Sequence, residues 1–191
     1  MSSRLVIMGP QGAGKGTQAQ RLAERLGVPA ISTGDIFRAN IKGGTELGVL
    51  AQSYTSKGDL VPDEVTNAMV RDRLGQSDAA GGFILDGYPR NAAQVVELDD
   101  ILTSLGVALD RVVELTADRS ELLTRLRQRA ETEGREDDTE EAIARRLDIY
   151  AEQTAPLTSA YAERGLLVRV DGIGTIDEVT ARVVAASTPA A

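Results

Sequence analysis

The run Leu5-Val6-Ile7-Met8-Gly9-Pro10-Gln11-Gly12-Ala13-Gly14-Lys15-Gly16-Thr17 decides the fold. Its four leading apolar residues make a short buried strand, and the segment from Gln18 to Leu26 has helical spacing, so the glycines fall where a strand turns into a helix. In such a turn successive backbone N–H groups point inward, the helix N-terminus adds partial positive charge, and Lys15 can reach the outer phosphates of a nucleotide. Glycine permits both the unusual backbone angles and the close approach of an anion. The general pattern places Ser or Thr directly after the lysine, whereas here Gly16 stands between Lys15 and Thr17.

Outward from this loop, apolar runs of strand length recur at Val28 to Ile31, Gly82 to Leu85, Arg111 to Leu115 and Leu166 to Val170, separated by segments of helical period. Strands alternating with helices predict an α/β fold with a five-stranded parallel sheet and helices on both faces, and ligands at the carboxyl ends of the strands. The chain has 191 residues, 42% of them hydrophobic, enough for one sizeable core, so a single domain is expected. Between the second and third strands, residues 42–74 read as short helices broken at Gly43-Gly44 and at Lys57 to Pro62, longer than a simple crossover and suited to a cover over the ligand edge. Asp63, after Pro62, reads as the start of the next helix. The Ala-rich stretch 185–191 reads as a frayed tail.

Composition narrows the chemistry. With no cysteine and no histidine, disulfides, thiolate metal sites and a histidine base are excluded. A net charge of −8 argues against a nucleic-acid coat or a membrane-surface protein. No stretch reaches the roughly 18 apolar residues of a membrane span, and Met1-Ser2-Ser3-Arg4 leads straight into a strand, so a cytoplasmic protein is expected. Of the 21 basic residues only Lys15, Lys42 and Lys57 are lysine; arginine favours planar, bidentate phosphate contacts, although a surface arginine needs no such role.

The residues just beyond each strand carry the candidate site. After the second strand stands Ser32-Thr33-Gly34-Asp35-Ile36-Phe37-Arg38, readable as a helix cap with an exposed arginine or as a base-facing Thr33 and a phosphate-facing Arg38. The third strand ends in Asp86-Gly87-Tyr88-Pro89-Arg90-Asn91-Ala92-Ala93-Gln94. A carboxylate beside a phosphate loop is where Mg²⁺ or its waters are held, which makes Asp86 the metal candidate, with a plain turn former as the alternative. Arg90 and Gln94 are expected on one face of the next helix's first turn. From Asp118 the chain turns arginine-rich, with Arg125 and Arg129 on one helical face, Arg135 in a polar loop, and Arg145-Arg146 beyond it. Such a run is either a solvated face or a gathering of positive charge for phosphoryl transfer.

Taken together, Gly9 to Thr17, Ser32-Thr33-Gly34-Asp35, Asp86-Gly87-Tyr88-Pro89-Arg90 and Gly134-Arg135-Glu136-Asp137-Asp138 make the chain resemble the adenylate kinases over essentially its full length. In that family the Gly-Lys-Gly-Thr loop is the normal form. The resemblance implies a three-layer fold of the P-loop NTPase type, with a core of about 1–31, 62–129 and 137–191, a nucleoside-monophosphate (NMP) insert of about 32–61 and a short lid of about 130–136. It implies transfer of the terminal phosphoryl group of MgATP to AMP, giving two ADP, by a monomer.

By the same resemblance Gly12, Ala13, Gly14, Lys15, Gly16 and Thr17 hold the ATP phosphates. Lys15, Arg38, Arg90, Arg129, Arg135 and Arg146 are the catalytic cations. Thr33, Arg38, Asp59, Leu60, Val61, Gly87, Tyr88, Pro89, Arg90, Gln94, Arg135 and Arg146 form the AMP site. Arg125, Arg129 and Gly174 face ATP, and Asp86 holds Mg²⁺ through water. Only five residues separate Arg129 from Arg135, which implies the short lid without zinc. Two rivals are a uridylate or cytidylate kinase of the same fold, against which Thr33 and Gln94 speak, and a non-catalytic nucleotide-binding protein, against which the retained Lys15, Asp86 and arginines speak.

Overall fold

The computed structural model describes residues 3–133 and 139–187. Strand β1 (Ser3–Met8) is buried over its last four residues, as a central strand covered on both faces must be. It enters the glycine loop and then helix α1 (Lys15–Leu26), three residues earlier than the apolar pattern indicates. Gly27, at φ 67°, closes α1, and the Val28 N–H still bonds back to the Ala23 carbonyl at 3.1 Å. That bond delays strand β2 to Ala30–Ser32, two residues later than hydrophobicity alone suggests.

Helices α2 (Thr33–Lys42) and α3 (Glu46–Thr55) follow, capped by the hydroxyls of Ser32 and Thr45, and α4 (Asp63–Leu74) starts after Pro62. A 3₁₀ turn (Ser77–Ala79) leads to β3 (Gly82–Asp86), and α5 (Ala92–Ser104) starts on an Asn91 cap. Next come β4 (Arg111–Thr116), α6 (Arg119–Glu133), and α7 (Glu140–Ile149), which is capped by Thr139 and continued by a π turn (Tyr150–Thr154). The described chain ends with α8 (Leu157–Glu163), β5 (Leu167–Asp171) and α9 (Ile176–Ser187), so Ala185 to Ser187 are helical rather than frayed.

The five strands are parallel in the order β2-β3-β1-β4-β5, with Ile7 paired to Asp86 on one side and Val113 on the other. Period-two alternation sends Leu5 and Ile7 into one core with Leu22 of α1, Leu126 of α6 and Val183 of α9. Val6 and Met8 enter the other, with Val70 of α4, Leu98 of α5 and Tyr161 of α8. The result is the three-layer α/β fold of the P-loop NTPase type. A smaller cluster of Phe37, Ala51 and Val61 lies under α2 and α3, so that segment holds its own shape at the edge of the sheet. The chain leaves β1 to one side of the sheet and β3 to the other, which opens a crevice above their carboxyl ends. Among the described residues no helix is long and apolar enough to cross a membrane.

Candidate active site

A cavity of about 840 Å³ fills that crevice, at the upper part of the size range of small-molecule sites. Its floor is the glycine loop. Gly14, at φ 91°, precedes α1 and has no side chain to cap it, so the first-turn N–H groups of α1 stay available to an anion. Lys15 folds back over the loop and donates to the Pro10 carbonyl at 3.0 Å. Burial lowers the pKa of its ammonium from 10.5 to about 8; Asp86 pulls it up, while Arg90 and Arg129 push it further down. Burial likewise raises the carboxyl of Asp86, against the pull of Lys15 and Arg90.

Asp86 ends β3, and its Oδ2 lies 3.6 Å from the point a Cβ on Gly16 would occupy, so the carboxylate rests against the start of α1. No cluster of three or more metal-ligating side chains occurs among the described residues. A single carboxylate beside a phosphate cradle suits Mg²⁺, which takes one or two protein carboxylates and completes its shell with phosphate and water.

Arg90 does not stand on a helix turn with Gln94. Asn91 caps α5, so Arg90 precedes the helix, and a different bond joins the pair: the Arg90 N–H donates to Gln94 Oε1 at 2.7 Å. Arg90 Nε donates to the Gly87 carbonyl at 2.8 Å, and the Arg90 carbonyl accepts from Thr154 Oγ1 at 2.6 Å. Both the backbone and the stem of Arg90 are thereby held, and burial lowers its pKa, with Asp86 opposing.

Around the wider end, Thr33 is buried and donates to the Gly87 carbonyl at 3.0 Å. Arg38 pairs with Asp35 on the same helix, Tyr88 donates to Asn67 Oδ1 at 2.8 Å, and Arg146 donates to the Thr55 carbonyl at 3.1 Å. An ion pair of 3.0 Å joins Arg145 to Asp59, so the end of the α2–α3 segment rests on α7.

The structure thus brings to one cavity Lys15, Thr33, Arg38, Asp59, Leu60, Val61, Asp86, Gly87, Tyr88, Pro89, Arg90, Gln94, Arg129 and Arg146. Gly12, Ala13, Gly14, Gly16 and Thr17 make the loop and helix start beneath Lys15. Arg125 lies apart: it bonds Glu121 and donates to the Gly172 carbonyl at 3.1 Å, tying α6 to the loop after β5. Gly174 is exposed in that same loop, where a Cβ would meet Arg182 and Glu178 at 2.8 Å. Arg135 lies outside the described residues. Three further residues were not singled out from the sequence: Asp63, which read only as a helix start, Asn91, and Thr154. The Asn91-x-x-Gln94 spacing is a capping signal; nothing local marks Thr154, and the local signal at Asp63 points only to a helix start.

Buried positive charge around a phosphate cradle, with one carboxylate beside the lysine, is what phosphoryl transfer needs, since the protein's work there is positioning and charge stabilisation. Residues 7–166 match the family model described as adenylate kinase. The chain is 65% identical to an adenylate kinase of Kocuria rhizophila over 184 residues, 96% of this chain and 98% of the relative. It is 60% identical to an adenylate kinase of Thermobifida fusca over 183 residues, 96% and 97% of the two chains. A third, from a Nocardioides species, is 61% identical over 180 residues, 94% of each. Site, fold and similarity along almost the whole length agree: the chain belongs to the adenylate kinase family.

Proposed function

We propose that the two ends of this cleft hold the two nucleotides of the adenylate kinase reaction, in which the terminal phosphoryl group of ATP passes to AMP and two ADP result. As an ATP:AMP phosphotransferase the chain works by holding two phosphates in line and neutralising the charge that gathers between them. In this reading residues 12–17 cradle the ATP phosphates and Lys15 follows the transferred group. Arg38, Arg90, Arg135 and Arg146 clamp the AMP phosphate and the moving phosphoryl, with Arg129 on the ATP side, Arg125 near the ATP base or phosphates, and Gly174 toward the ATP base. Thr33, the main chain of residues 59–61, Gly87 to Arg90 and Gln94 take AMP. Asp86 would hold Mg²⁺ through water, and Mg²⁺ would supply charge neutralisation at the transferred phosphate.

The insert of about 32–61 and the lid of about 130–136 close on a core formed by the rest, which excludes water as a competing acceptor. A chain without cysteine or histidine lacks the thiolates and imidazoles from which a lid zinc site is usually built, and the lid is read as zinc-free. The protein is read as a cytoplasmic monomer with no nucleic-acid or membrane partner.

One observation carries this reading: Lys15, Asp86, Arg38, Arg90, Arg129 and Arg146 line a single cavity. The test is ADP formation from MgATP with AMP, UMP, CMP or GMP, and with no acceptor. AMP is expected to be preferred and required. Preference for a pyrimidine acceptor, or ATP consumption unchanged by omitting AMP, would overturn the reading.

A further inference from the structure

Gln94 is only 2% exposed, lines the cavity, and has its amide orientation set by two partners that cannot exchange roles. Its Oε1 accepts from the Arg90 backbone N–H at 2.7 Å, and its Nε2 donates to Asp63 Oδ1 at 2.7 Å. A backbone N–H can only donate and a carboxylate can only accept. Asp63 is itself held: Asn91 Nδ2 donates to its two oxygens at 3.0 and 3.1 Å, while Asn91 Oδ1 accepts the Gln94 N–H at 2.9 Å. Asp63, Asn91 and Gln94 thereby close a ring across the starts of α4 and α5.

A primary amide has two N–H donors and two acceptor lone pairs. With one of each engaged, Gln94 retains one donor and one acceptor for a ligand. That pair complements a base edge on which a ring nitrogen accepts and the neighbouring exocyclic amino group donates, the pattern of a 6-aminopurine. A 6-oxopurine shows the reverse, a ring N–H beside a carbonyl. An unheld amide could serve either by turning over about its last bond. Turned over here, Oε1 would face the Asp63 carboxylate and Nε2 the Arg90 N–H, which leaves two buried polar contacts repulsive and unsatisfied.

We propose that Asp63 is a specificity-determining positioning residue, which locks the Gln94 amide in the orientation that accepts a 6-aminopurine monophosphate and rejects a 6-oxopurine one. The inference rests on the reading that places the acceptor base beside Gln94. Sites that hydrogen-bond a substrate group discriminate strongly because the wrong partner leaves buried groups unpaired.

The experiment compares kcat/KM for AMP, IMP and GMP in the unaltered chain, in Asp63→Asn and in Asn91→Ser, with KM for ATP and thermal unfolding measured beside them. The neutral amide of Asp63→Asn can donate or accept, so the AMP-over-IMP ratio should fall about tenfold, the scale of one buried hydrogen bond, with KM for ATP unchanged. Asn91→Ser keeps a cap for α5 but removes the Nδ2 donor that reaches both Asp63 oxygens, and should lower the ratio about threefold; it decides the matter if Asp63→Asn does not fold. If AMP and IMP activities fall by one common factor, Asp63 only supports the fold and the proposal is wrong. If the unaltered chain takes IMP or GMP as readily as AMP, the placement of the base beside Gln94 fails first, a result visible before any variant is made.

Discussion

At the end of the cleft nearest the glycine loop, Lys15 is held by the Pro10 carbonyl, five residues back in the chain. At the other end Gln94 is held by Asp63, 31 residues away, Arg90 by Thr154 across 64, and Arg146 by Thr55 across 91. One end is a local motif that a strand, a turn and a helix assemble by themselves. The other exists only where α4, α5, α7 and the α2–α3 segment meet. Damage should therefore read differently at the two ends: loss of chemistry with the fold intact at the first, loss of both at the second.

The largest effects are expected for Lys15→Met and Arg90→Ala. Each should lower kcat/KM by roughly 10³-fold or more, the scale of removing a charge that stabilises transferring phosphate. Thermal unfolding separates them. Lys15→Met removes an ammonium whose charge is disfavoured by burial and should leave the ligand-free protein at least as stable. Arg90→Ala cuts the Gly87 contact and should lower the melting temperature. Equal stability of the two variants would break the contrast.

Next in size is a pair of glycine substitutions. Gly58 has φ 79°, and a Cβ there would lie 2.6 Å from the Ala142 carbonyl oxygen of α7, whereas Gly14 has φ 91° and open space around it. Gly58→Ala should cost about 2–4 kcal/mol of stability, adding a clash to backbone strain, and should raise KM for AMP. Gly14→Ala should cost about 1–2 kcal/mol, from strain alone. Chemical denaturation measures both.

A smaller effect follows from the titration of Lys15. Its pKa is lowered from 10.5 to about 8, so above pH 8 the free protein loses the proton that binds phosphate. The kcat/KM for ATP should fall by up to tenfold per pH unit above about 8, and Lys15→Arg should flatten that limb. The stability sign is opposite: between pH 8 and 10.5 the unfolded chain holds more of this proton, so the contribution of Lys15 to stability rises with pH across that window. Smallest of all is Arg145→Ala. The pair with Asp59 is solvent-exposed on both sides, so its loss should change stability by less than about 1 kcal/mol and raise KM for AMP only a few-fold.

Much of the fold was legible because its signals are local. Largely apolar runs of four or five residues marked every strand, and Pro62, Asn91 and Thr139 stand where helices start. The misreadings have local causes that periodicity cannot carry. Strand β2 begins late because Val28 still belongs to the hydrogen bonding of α1, and Arg90 falls short of α5 because Asn91 is the cap. Gly174 is flanked by the side chains of Arg182 and Glu178, which the next helix places there and no local signal announced. Asp63 carried an obvious meaning as a helix-start acid that concealed its second one.

By itself the sequence determined the strand–loop–helix from Leu5 to Leu26, the absence of thiol and imidazole chemistry, the alternation that makes a parallel sheet, and the family, because each rests on residues adjacent in the chain or on composition. Only the tertiary structure decided the strand order, which arginines share a cavity, the lowered pKa of Lys15, and the direction in which the Gln94 amide points. The physical reason is common to these: burial and hydrogen-bond partnership depend on groups tens of residues apart, and their contact follows from how both cores pack against the sheet.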